Sequence, residues 1–199
     1  MKDGYVTHSI ETPRGKLRVL QPAEAAEIPD DHQVEWAPLA PYWSVLWRSG
    51  VALGRELAGQ EMRGLRVVEL GCGLAVPSIA AARAGAIAVA TDRDPEALEL
   101  VACNARANYV FVETAQVEWE KPDDLMARGP FDLVLGTDVL YERSGVALLL
   151  DLLPRLAPEA WIADPGRPAA EPFLEQAHRR WKVERRERGV VSLYKLGFN

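Results

Sequence analysis

Cysteine is scarce in this chain, with only Cys72 and Cys103 among 199 residues. One lies in a glycine loop and the other in a helix-like segment, so a disulfide-stapled scaffold is excluded and a reducing compartment is expected. Histidine is nearly as rare. His8, His32 and His178 are scattered along the chain and point to no metal site. No apolar run is long enough to span a bilayer, and residues 1–20 lack the apolar stretch of a secretory signal. A cytoplasmic protein with no membrane partner is therefore expected. A basic surplus is missing too: 23 Lys and Arg stand against 29 Asp and Glu, for a net charge of -6. That balance argues against a surface built to grip nucleic acid phosphates. Internal repeats and low-complexity tracts are also absent.

What is present reads as a single domain, which the length suits. Residues 1–40 divide into a small hairpin turning at Pro13-Arg14-Gly15 and an irregular crossing segment from residue 21 onwards. Residues 41–199 form the core. The spacing of Trp43, Leu46, Trp47, Val51, Leu53 and Leu57 predicts an amphipathic helix from Trp43 to Ala58. Strand-like runs follow at Arg66–Leu70, Ala86–Thr91, a weak one ending near Trp119, then Phe131–Gly136 and Ala160–Ala163. Helix-like runs alternate with them at Pro77–Ala84, Pro95–Asn108, Asp123–Arg128, Val146–Leu156 and Glu171–Arg180. Short apolar strands separated by helices predict a mostly parallel sheet covered on both faces. Two final strand-like runs meet at Arg188-Gly189 and predict a C-terminal antiparallel hairpin. The fold class is α/β, Rossmann-like.

The stretch VVELGCGLAVPS, Val67 to Ser78, carries the most chemistry. An apolar strand runs into Gly71-Cys72-Gly73, and glycines there let the backbone turn sharply and approach a ligand at the strand's carboxyl end. A dinucleotide fingerprint would place a third glycine where this chain has Val76, and the Gly-Lys-Ser/Thr ending of a phosphate loop is missing. The pattern left is E-x-G-x-G, with Glu69 ahead of the glycines. A carboxylate at that strand end disfavours a pyrophosphate and suits S-adenosylmethionine, which carries an ammonium and a sulfonium. Asp92 ends the next strand about 20 residues on, where a ribose-binding carboxylate belongs. Asp94 is the better placed cap for the helix at Pro95. Trp119 has two readings, packing on the adenine edge or packing in the core.

Four segments resemble the protein lysine methyltransferase branch of the seven-β-strand, class I S-adenosylmethionine-dependent methyltransferases. PYWSVLWRSGVAL, residues 41–53, is similar to the aromatic helix that precedes the glycine loop in members that modify the electron-transfer-flavoprotein β subunit. CNARAN, residues 103–108, resembles that branch's asparagine-alanine pattern. Asp138-Val139-Leu140-Tyr141 resembles the D-x-x-Y signature of the wider group, and Asp164-Pro165-Gly166-Arg167 resembles the D-P-G-R turn after strand five. The resemblance covers roughly residues 38–180. It implies a seven-stranded sheet, S-adenosylmethionine as cofactor and methyl transfer to a lysine side chain of a protein.

It also implies that Asp138 accepts hydrogen bonds from the substrate amine and that Tyr141 forms part of the wall. The residues alone allow Asp138 to cap the following helix instead. Trp47 is expected in the cofactor pocket, where an aromatic face tolerates a cationic ligand, whereas Tyr42 and Trp43 stay open between core and pocket. Arg167 either meets an acidic substrate surface or pairs with Asp164. The arginines between Arg179 and Arg188 are interspersed with Glu184 and Glu187, which favours a solvated face. Expected cofactor contacts are thus Trp47, Glu69, Gly71, Gly73, Asp92 and Trp119, with Asp138 and Tyr141 at the chemistry. Two other functions fit the same features: a small-molecule N- or O-methyltransferase, and a binding module without catalysis.

Overall fold

The computed structural model describes residues 4–27 and 41–198. Its main sheet follows from the alternation just read. Strands β3 (Arg66–Leu70), β4 (Ile87–Asp92), β5 (Glu113–Gln116), β6 (Leu133–Thr137) and β7 (Glu159–Asp164) run parallel. The hairpin β8 (Lys182–Arg188) and β9 (Val191–Gly197) closes one side antiparallel, giving seven strands in the order β5-β4-β3-β6-β7-β9-β8. The chain leaves β3 toward β4 and β5, then returns on the other side to β6. That reversal opens a crevice at the carboxyl ends of β3 and β6, where open α/β sheets bind ligands.

The apolar strands are buried on both faces, which is why they read as runs and not as alternations. Val67, Leu133, Leu135, Trp161 and Ala163 join the cluster under α1 (Arg48–Ala58), α2 (Val76–Arg83) and α3 (Pro95–Ala107). Val68, Val134, Ala160 and Ile162 face the opposite cluster under α5 (Arg143–Leu156) and α6 (Ala170–Arg180), with the short α4 (Asp123–Ala127) at its end. Leu53, Leu57, Leu149 and Leu153 are fully buried, each contributing roughly 1.5–3 kcal/mol of transfer free energy.

The N-terminal hairpin, β1 (Tyr5–Thr12) and β2 (Gly15–Pro22), is a separate two-stranded sheet. Asn104 and Asn108 of the CNARAN segment hold it. The Asn108 side chain accepts from Arg18 N (2.9 Å) and donates to Arg18 O (2.6 Å), and Asn104 does the same for Leu20 (2.7 and 3.3 Å). Four residues of helix rise and two of strand cover nearly the same length, ~6 Å. Two asparagines one turn apart therefore satisfy the free edge of β2 as a neighbouring strand would.

Two expectations needed correction. The helix predicted from Trp43 begins only at Arg48, after a single 3-10 turn at Tyr42–Ser44 and extended backbone at Val45 and Trp47. Tyr42 O accepts Val45 N at 3.3 Å within the 3-10 turn and the Trp47 indole N–H at 3.0 Å, with no continuing α-helical ladder. The weak strand ends at Gln116; Val117 N still bonds Asp92 O at 2.9 Å, and a turn at Glu118 then carries Trp119 across the sheet end. Most of the crossing segment, residues 28–40, lies outside the described residues, and Ala23–Glu27 is a 3-10 turn. Among the described residues no helix is long and apolar enough to cross a membrane.

Candidate functional site

A cleft of about 1210 Å³ occupies the crevice, and its walls include Trp47, Gly71, Gly73, Asp92, Trp119, Asp138 and Tyr141. Seven of the eight expected residues thus meet at one place. The floor is the loop after β3. Gly71 and Gly73 sit at φ 60° and 47°, where side chains are strained. A Cβ on Gly73 would lie 2.7 Å from Trp43 O, so the aromatic segment can approach only a glycine there. The Trp119 ring and Val139 stand 3.6 and 3.5 Å from where a Cβ on Gly71 would be. Trp119 packs on the second core cluster and also lines the cleft. Tyr42 and Trp43 line the cleft as well.

Asp92 is buried at the end of β4. Its Oδ2 accepts Gly73 N and its Oδ1 accepts Asp94 N, both at 3.0 Å, which ties the carboxylate to the glycine loop. Burial pushes its pKa up while these donors pull it down. Asp94 caps α3 by accepting Glu96 N at 2.9 Å, as its position suggests. The cleft rim carries Glu96, Glu118, Glu120 and Glu142, and among the described lining residues Arg93 is the single basic side chain.

Glu69 departs from expectation. It is fully buried behind the loop, and its Oε2 accepts both the N–H (2.9 Å) and the hydroxyl (2.5 Å) of Ser78 in the first turn of α2. Ala75, which starts that helix, has no side chain to cap it; Glu69 supplies the acceptor from the strand instead. Burial raises its pKa from 4.5 to about 8, and the Ser78 donors oppose this. A carboxyl raised in the fold keeps its proton after the unfolded chain has released it. Its stabilising contribution is complete below about pH 4.5 and is lost as pH rises through about 8, by at most about 1.4 kcal/mol per pH unit. Glu69→Gln is therefore expected to gain on the wild type as pH rises. Thermal melts of both proteins at pH 5 and pH 8 check this; a Tm difference that stays constant contradicts the assignment.

Asp138 is 8% exposed and does not cap α5, whose N-cap is Glu142. Its backbone is left-handed at φ 60°, with the N–H bonded to Ala163 O at 3.0 Å. Oδ1 accepts the Ser49 hydroxyl at 3.0 Å and an Arg167 guanidinium N–H, while Oδ2 has no partner among the described residues. Burial raises the Asp138 pKa from 3.8 to about 6, with Arg167 pulling against it. Tyr141 lines the cleft nearby, and burial pushes its phenol above the ordinary value, so it stays a neutral wall. Arg167, left between a surface role and Asp164, is 5% exposed and pairs with both Asp138 and Asp164. Ser49 was missed, because a serine before a glycine carries no signal of its own. The arginine-rich hairpin is paired within itself, Arg185 with Glu187, and to α1, where Arg186 and Arg188 both meet Glu56 at 3.2 and 2.8 Å.

Comparison with known proteins adds the following. Residues 42–162 match the model of a family described as lysine methyltransferase. The electron transfer flavoprotein beta subunit lysine methyltransferase of Xenopus laevis is 35% identical over 165 residues, 78% of this chain and 64% of that protein. The protein N-lysine methyltransferase METTL21A of Danio rerio is 34% identical over 121 residues, 57% of this chain and 55% of that one. The chain thus spans 55% to 64% of the length of these relatives. Among solved structures, the ribosomal protein L11 methylase of Lactobacillus delbrueckii subsp. bulgaricus superposes with a TM-score of 0.65 at 16% identity, covering 96% of this chain and 99% of that one, a likeness of fold.

Proposed function

Since this chain belongs to the lysine methyltransferase family, with more than half its length inside the family's match, we infer that it transfers a methyl group from S-adenosylmethionine to a lysine side chain on a protein. The observation that carries this reading is at Asp138, which lines the same cleft as the glycine loop and Asp92 and whose buried Oδ2 has no hydrogen-bond partner among the described residues. An acceptor without a donor, in a cleft rimmed by carboxylates, suits an incoming amine.

The cleft also fits the cofactor. The glycine loop leaves room for close approach, Asp92 is held facing the cleft, and the acidic rim favours a cation over a diphosphate. Gly71, Gly73, Asp92, Trp119 and Trp47 would hold it. When bound, S-adenosylmethionine supplies an electrophilic methyl group on sulfur.

The chain's own part is to bring a neutral amine to that methyl in line. A free lysine has a pKa near 10.4, and partial desolvation between Trp47 and Tyr141 lowers it. Asp138, with a pKa of about 6, is too weak a base to take that proton outright. Its role is to accept an N–H of the amine and aim the lone pair, a positioning effect that can be worth several kcal/mol. Glu69 anchors the first turn of α2 through Oε2.

Asp92→Ala is expected to weaken S-adenosylhomocysteine binding about ten- to a hundredfold by removing both the ribose acceptor and the Gly73 tether, as titration calorimetry would read. Affinity equal to wild type removes Asp92 from the cofactor site. The substrate class is tested by incubating the protein and labelled S-adenosylmethionine with lysate from cells lacking the gene. Label on a lysine, mapped by mass spectrometry, is the expected result. Label only in small molecules overturns the protein substrate, and no transfer at all favours a binding module. The two unpaired cysteines, Cys72 buried and Cys103 partly so, support a cytoplasmic setting.

A further inference from the structure

We propose that Arg167 is a positioning residue for transfer: anchored on Asp164 and stacked on Trp47, it holds one oxygen of the Asp138 carboxylate so that the other is left for the substrate amine. This rests on the role just inferred for Asp138.

The anchoring begins in the D-P-G-R turn. Asp164 Oδ1 accepts the backbone N–H groups of Gly166 and Arg167, both at 2.7 Å, which folds the turn back on the end of β7. Its Oδ2 lies 3.5 Å from Arg167 Nη1. The same Nη1 donates to Asp138 Oδ1, and the guanidinium carbon sits 5.5 Å from the centre of the Trp47 ring. Planar guanidinium, carboxylates on one side and an indole face on another leave Arg167 little freedom, which a lysine could not reproduce. Trp47 is itself fixed through Tyr42 O. A chain of contacts therefore runs from the turn after β7 to one oxygen of Asp138, with Ser49 as the second donor to that oxygen.

Charge gives the arrangement its second effect. The groups facing Asp138 are Ser49 from α1, Asp164 from the end of β7 and Arg167 from the turn after it; Arg167 pulls the Asp138 pKa down and Asp164 pushes it up. Two buried carboxylates flank one guanidinium. Without Arg167 they would face each other with no counter-charge, and Asp138 would hold its proton into the neutral range. A protonated Asp138 no longer offers the amine the same acceptor. Arg167 thus controls both the orientation and the ionisation of a group that it does not replace at the substrate.

The test needs no known substrate for its first readout. Asp138 is titrated by carbon NMR of its carboxyl group in the wild type, Arg167→Met and Arg167→Lys. The Met variant is expected to raise the midpoint by about one unit or more, and the Lys variant, which keeps the charge, to leave it near the wild-type value. S-adenosylhomocysteine affinity, measured by calorimetry, should stay within about threefold in both. Label transfer from S-adenosylmethionine into lysate protein should fall about tenfold or more at pH 7 in both variants. It should recover toward pH 9 only in the Met variant, whose defect includes protonation. An unmoved Asp138 midpoint in the Met variant overturns the proposal, as does a loss of cofactor affinity that matches the loss of transfer. If the wild type itself labels no protein, the lysine reading fails while the NMR midpoint still decides whether Arg167 governs Asp138.

Discussion

Asp138→Asn is expected to leave S-adenosylhomocysteine affinity within about threefold of wild type and to cut methyl transfer by about a hundredfold or more. The hydrogen bonds around the residue explain the asymmetry. Ser49 and Arg167 both donate to Oδ1, so the asparagine must turn its carbonyl oxygen toward them. Its NH₂ then occupies the place of Oδ2, a donor where the wild type has a free acceptor. An amine arriving there would meet an N–H pointed at its own lone pair, the electrons it needs for attack. The contacts proposed for the cofactor, at Gly71 and Gly73 in the loop after β3 and at Asp92 at the end of β4, are untouched by the exchange. Single-turnover label transfer beside calorimetry separates the two quantities. A parallel collapse of affinity would place Asp138 in the cofactor pocket and remove it from the chemistry.

Gly73→Ala is expected to do the most damage to cofactor binding, with affinity down by tenfold or more and stability lower by about 2–4 kcal/mol. The added methyl would sit 2.7 Å from Trp43 O, a backbone atom with no rotamer to escape into, at a residue whose φ is 47°. Either the loop or the Tyr42–Trp47 segment must move, and both are cleft walls. Gly71→Ala offers the comparison: its φ of 60° is also strained, but the new methyl meets side-chain atoms no closer than 3.5 Å. Denaturant melts of the pair should show the Gly73 variant as the less stable. If the two are equally affected, left-handed strain and not the Trp43 contact is the constraint.

How much was legible in the sequence depended on whether a feature was local. The strand at Arg66–Leu70 matches its expected bounds, and both hairpins turn where glycine allowed it. The cap at Asp94 was also readable, because a cap acts on the next two residues. The aromatic segment misled because its apolar spacing imitates a helix face, whereas Tyr42, Trp43 and Trp47 line a cleft at the end of the sheet from a 3-10 turn and extended backbone. Glu69 misled for a related reason: its partner is Ser78, on the far side of the loop, and a carboxylate at a strand end looks the same whether it faces a ligand or a helix terminus. The Asp138–Arg167 pair joins residues 29 apart in sequence, and Asn104 with Asn108 bonds residues more than 80 positions away. A resemblance can mark such residues, but only packing shows what they hold.

The terminal hairpin has a consequence for how the chain survives its own synthesis. Strand β8 is one margin of the sheet, and six of its seven residues, all but Val183, are charged. Lys182, Glu184, Arg186 and Arg188 alternate with Arg185 and Glu187, so both faces of that margin are wet. A stray apolar strand seeking backbone partners there would have to strip water from charges on either side. The opposite margin, β5, offers only four residues, too short a template for a long ribbon. Between them these two borders discourage recruitment of neighbouring chains, while the apolar interior strands, the ones able to seed aggregates, are sealed in the middle of the sheet.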